Sequence, residues 1–75
     1  MNLGDIVDKR PFRPFTIELD NGRRTTVRHP ENVFFIPNRI KLIHIEVYDE
    51  TGDHLVIFEP SAISTLLAEP GNGNR

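Results

Sequence analysis

The chain has 75 residues, no cysteine and a formal net charge of −2. That length holds one domain near the lower limit for a single unaided core, and the missing cysteine excludes disulfides, thiolate catalysis and cysteine-ligated metal. An acidic balance also argues against a dedicated duplex-DNA binder, whose affinity comes mainly from neutralised phosphates.

The remaining aid to a small core is self-association, so a homo-oligomer is expected. The charge is unevenly placed. Residues 1–44 carry eight Lys/Arg against five Asp/Glu, whereas residues 45–75 carry one Arg against six acids. The longest apolar run is four residues, Val33 to Ile36, so no transmembrane helix and no membrane partner are expected. The N-terminus lacks the basic-then-apolar layout of a secretory signal, which points to a cytoplasmic protein.

Residues 2–10 open the chain as a short helix. Asn2 is placed to cap it, Asp5 lies at its positive end, and Lys9 and Arg10 lie at its negative end. Leu3, Ile6 and Val7 give it one narrow apolar stripe, and so short a helix needs a docking surface. Pro11 ends it, and the RPFRPF run that follows is extended because a residue before proline is pushed out of the α region.

Pro14 to Gly22 is the organising stretch. Phe15, Ile17 and Leu19 alternate with Thr16, Glu18 and Asp20, and Asn21-Gly22 supplies the turn of a hairpin. The return strand, Arg23 to His29, sets Thr25, Val27 and His29 against Arg24, Thr26 and Arg28. Pro30 interrupts it. Val33 to Ile36 reads as a strand too apolar to have a solvated face, followed by a turn at Pro37-Asn38. Ile40 to Tyr48 is the longest β stretch, with Ile43, Ile45 and Val47 on one face and Leu42, His44, Glu46 and Tyr48 on the other. Asp49 to Asp53 forms a hairpin loop whose late glycine, Gly52, is placed where positive φ is usual. His54 to Glu59 returns with Leu55 and Ile57 on one face, Pro60-Ser61 breaks it, and Ala62 to Leu67 closes the fold. Residues 1–68 are thus read as a single mainly β domain, and residues 69–75 as a disordered tail. Short antiparallel strands at this spacing predict a small closed or nearly closed barrel.

Two segments resemble Sm-like proteins of the bacterial Hfq type. PFTIELDNG, residues 14–22, is similar to that family's first strand and turn, and AISTLL, residues 62–67, is similar to its closing strand. The resemblance implies an N-terminal helix followed by a five-stranded Sm-like or SH3-like barrel, with a bent second strand. It also implies rings in which the fourth strand of one subunit pairs with the fifth of the next, and binding of single-stranded RNA. The family's Tyr-Lys-His before the closing strand is replaced here by Glu59-Pro60-Ser61, and its base-stacking aromatic in the first strand by Glu18. What carries over is a basic rim of Lys9, Arg10, Arg13 and Arg24. The chain also resembles, end to end, a family of small uncharacterised bacterial proteins that open with a short helix and an RPFxPF element.

The residues assemble no catalytic pattern. His29, His44 and His54 lack metal-ligand spacing, although His44 and His54 could face each other across the central hairpin. Ser61, Ser64 and Thr65 lack a nucleophile elbow, and no glycine-rich loop precedes a helix. The expectation is therefore no enzyme, no cofactor and no metal. Two functions follow: an Sm-like module that binds RNA through its rim, or a protein–protein assembly module without RNA binding.

Overall fold

The computed structural model describes residues 2–69. Asn2 caps helix α1 (Leu3–Asp8): its Oδ1 accepts from Asp5 N at 2.9 Å, and Leu3 and Val7 are buried beneath it. Six strands follow: β1 (Phe15–Leu19), β2 (Arg24–Val27), β3 (Val33–Pro37), β4 (Leu42–Asp49), β5 (His54–Phe58) and β6 (Ile63–Ala68). They form two antiparallel three-stranded sheets, ordered β2-β1-β6 and β3-β4-β5. PFTIELDNG supplies the central strand of the first sheet, and the longest strand is the centre of the second. The expected tail starts at Glu69, which is described: its N–H donates to Pro14 O at 3.4 Å. Its remainder, residues 70–75, lies outside the described residues.

The five-stranded closed barrel is corrected to six strands in two sheets. The reason lies in the two prolines that interrupt the ladders. At Pro30–Asn32 and again at Pro60–Ala62 the chain makes a single 3-10 turn, carrying it from the first sheet to the second and back. Proline cannot donate to a ladder, so each apolar stretch is split into two strands rather than bent through as one.

The inner faces share one core. Phe15, Ile17 and Leu19 from β1 and Val27 from β2 meet Ile45, Val47, Val56 and Phe58 from the second sheet, with Leu3 and Val7 of α1 at one side. Three local expectations change. Ile40 is 98% exposed, because Asn38 Oδ1 accepts from both Ile40 N and Lys41 N and holds these residues in a turn; β4 starts at Leu42. Positive φ in the second hairpin falls on Asp53 (53°), one residue after Gly52. In β3, Val33 faces the core but Phe34 is 45% exposed, so this apolar strand does present a solvated face.

Candidate interaction surfaces

The four rim residues lie at two ends of the β1–β2 hairpin. Lys9, Arg10 and Arg13 belong to the segment that enters β1 at Phe15. Arg24 pairs with Glu18 in the ladder, three residues along, or about 10 Å away. Arg10 is committed to the helix end: its Nη1 donates to Val7 O and to Lys9 O, both at 2.9 Å. Arg24 is held by the Glu18 carboxylate at 3.1 Å. Lys9 and Arg13 have no ion pair among the described residues, and both are exposed. Phe12 packs edge-on against Phe15 with ring centroids 6.1 Å apart, and so pins the extended segment to the core. Arg28, next to the Val27–Phe15 pair, adds a cation at the Arg13 end; its guanidinium lies 4.0 Å from the Glu69 carboxylate.

A cleft of about 510 Å³ opens between α1 and the sheets. Phe35, Leu42, Ile63 and Leu66 give it apolar walls, and Asp8 and Arg39 stand at its mouth. Arg39 makes a two-pronged contact with Asp8, at 2.5 and 2.8 Å, while its guanidinium lies 4.6 Å from the Phe35 ring centroid. The hydrogen bond from Arg39 holds the Asp8 carboxyl below its ordinary value and raises the guanidinium in return. The pair ties the helix to the β3–β4 turn, and no spacing rule in the sequence announces a contact across 31 positions.

The outward face of the second sheet carries a groove of about 600 Å³. Phe34 and Ile36 of β3 form one wall and Leu55 of β5 the other. Glu46 and Tyr48 of the central strand form the floor. On the floor, His44 Nε2 and Glu46 Oε2 are 3.1 Å apart, and Tyr48 OH donates to Asp53 at 2.5 Å, which raises the tyrosine pKa; His54 stands exposed at the same end of the groove. Leu55 and Ile57 project from β5 at 54% and 61% exposure. The alternation of β5 was legible; that its outward side is the apolar Leu55–Ile57 pair and its inward side Val56–Phe58 was not.

His54 pairs with Asp49, five residues along β4 from His44, so the two histidines stand roughly 16 Å apart and do not face each other. Among the described residues no three His, Cys, Asp or Glu side chains gather as a metal group, and no helix is long and apolar enough to cross a membrane. Glu59-Pro60-Ser61 begins the turn into β6, with Glu59 and Ser61 exposed. No protein-family model, curated protein or solved structure matches the chain.

Proposed function

We infer that the protein is a non-catalytic Sm-like assembly module that works by self-association. The observation that carries this reading is the outward face of the β3-β4-β5 sheet, where Phe34, Leu55 and Ile57 are all more than two-fifths exposed. A monomer of this size gains little by leaving large side chains in water, and apolar surface gathered on one face marks a contact with another macromolecule. The strand order supports the Sm-like part. β2 and β3, joined through the Pro30 turn, stand where the bent second strand of that family would be. β5 and β6 then correspond to its fourth and fifth strands, and each is the edge of a sheet. Free edges and an apolar face are both covered when copies associate. Light scattering on the purified protein tests the reading: a mass that is a multiple of 8.6 kDa supports it, and a monomer at every concentration removes it.

A second reading, contact with single-stranded RNA at the Lys9, Arg10 and Arg13 end, is favoured by one observation. Lys9 and Arg13 hold exposed charges that no acid among the described residues neutralises. Binding of a labelled oligouridylate should then fall steeply as salt is raised and be lost in Lys9→Ala plus Arg13→Ala. Arg24, already paired with Glu18, should matter little; binding that ignores the Lys9 and Arg13 changes counts against this reading.

A further inference from the structure

We propose that the cleft beneath α1 binds a small amphiphilic cation, an apolar chain carrying one ammonium group. The chain lies between Phe35, Leu42, Ile63 and Leu66, and the ammonium sits at Asp5. This site shares no residue with the groove on the outer face of the β3-β4-β5 sheet, and it does not depend on self-association.

The cleft has the size and the layering of such a site. Its volume of about 510 Å³ falls within the range of about 300–1,000 Å³ that holds small molecules. Buried Leu3 and Ile45 close it at depth, and the four apolar walls are half-buried. The charged and amide side chains that line it, Asn2, Asp5, Asp8 and Arg39, are all exposed and so stand at the mouth. An apolar body inside and a polar head outside match that layering. A sugar or a nucleotide would bury hydroxyls or phosphates where no polar side chain meets them.

The mouth sets the sign of the head group. Two carboxylates and one guanidinium line it. Arg39 directs both Nη1 and Nη2 to Asp8, whereas Asp5 has no ion pair among the described residues. Asp5 and Asp8 are three positions apart and share one helix face, so a surplus negative charge lies over the opening. The chain's own Arg39 shows how a cation is held there: its guanidinium meets the Asp8 carboxylate and lies 4.6 Å from the Phe35 ring centroid. An ammonium at Asp5 repeats that pairing nearly one turn along the helix. An anionic head would face both acids.

Gly4 keeps the mouth open. It lies in the first turn of α1 and lines the cleft, although glycine weakens a helix relative to residues with a Cβ. A Cβ there would meet nothing nearer than Asn2 Oδ1 at 3.4 Å and Arg39 Nη1 at 3.7 Å, which is ordinary contact. Crowding therefore does not call for a glycine. A longer side chain at this position would cover the opening.

Methyl NMR spectra of the full chain, titrated with octylammonium, octanoate and octanol, hold the chain length fixed and vary the head charge. Octylammonium should shift the Leu42, Ile63 and Leu66 methyls and saturate with a dissociation constant on the order of 100 µM. Octanoate should bind about fivefold more weakly or worse, and Asp5→Asn should bring the two within about twofold of each other. Asp5→Asn keeps the backbone N–H that Asn2 caps, so the helix should survive it. Gly4→Leu should abolish the shifts from all three probes while circular dichroism stays that of wild type. If Gly4→Leu does not fold, the wild-type methyl map still decides the location. Shifts confined to Leu55 and Ile57 put the probe on the outer sheet face and overturn the site, as does silence of all three cleft residues up to about 5 mM probe. Octanoate binding as tightly as octylammonium, or a preference that Asp5→Asn leaves unmoved, overturns the cation.

Discussion

Asp49 is 8% exposed and carries its charge at the joint between the two sheets. Burial pushes its carboxyl up, but the hydrogen bonds it accepts more than offset that and hold it below the ordinary value. They come from Thr25 Oγ1 (3.0 Å) and Thr26 N (3.3 Å) of β2, and from Thr51 N (3.0 Å) and Gly52 N (3.4 Å) of its own turn. One carboxylate thereby ties the edge of the first sheet to the centre of the second and closes the β4–β5 hairpin. The sequence offered Asp49 only as a turn acid, because β2 lies more than twenty positions away. A depressed native pKa means the stabilisation is fully present above the unfolded carboxylate value, near pH 4, and is lost as pH falls through the lower native value. Asp49→Asn is expected to cost about 2 kcal/mol at pH 7, through donors left without an acceptor. It should also lose less stability than wild type between pH 5 and pH 2, judged by urea midpoints. Parallel pH profiles for the two proteins would remove Asp49 from the acid limb.

Elements were legible where one residue type dictates backbone shape. Asn2 announced the helix cap, and Asn21-Gly22 the first hairpin; Pro30 and Pro60 marked both breaks. Gly22 has φ +87°, and a Cβ built there meets nothing within 4 Å. Gly22→Ala should therefore cost only the backbone penalty, about 1 kcal/mol, and lower the melting temperature by about 4–8 °C. Asn2→Ala should cost a similar amount by removing the acceptor for Asp5 N. An unchanged melting temperature in Gly22→Ala would show that positive φ there is not required. Illegible features were those settled by contacts distant in sequence or by side-chain turn chemistry. Asn38 draws Ile40 and Lys41 out of β4 through its own side chain, and a β-propensity count of Ile40 to Tyr48 cannot register that. Hydrophobicity likewise assigned β3 two buried faces, whereas its sheet packs on the core by one face only, which leaves Phe34 at the outer surface. The candidate docking face was hidden for this reason: its apolar residues come from two strands that flank a polar central strand, and only the pairing register brings them together.

At the scale of the molecule, two small sheets and one turn-and-a-half of helix share a single core, so none has an interior of its own. Leu3 and Val7 of α1 pack in the same cluster as Ile17 of the first sheet and Val47 of the second. The Asp8–Arg39 pair that also ties down the helix is exposed, and pairs of this kind contribute little. The helix is therefore held chiefly by burial, and its loss should be felt throughout. Val7→Ala and Val47→Ala are each expected to cost about 2 kcal/mol and to lower the melting temperature by about 10 °C. In both variants far-ultraviolet circular dichroism and the fluorescence of Tyr48, the single tyrosine and the chain's only strong emitter in the absence of tryptophan, should report one coincident transition. If Val7→Ala instead split the unfolding, with dichroism changing before Tyr48 emission, the helix would be a separately melting lid. The two sheets would then have to be stable without it, and the shared core would not be what sets the stability of this fold.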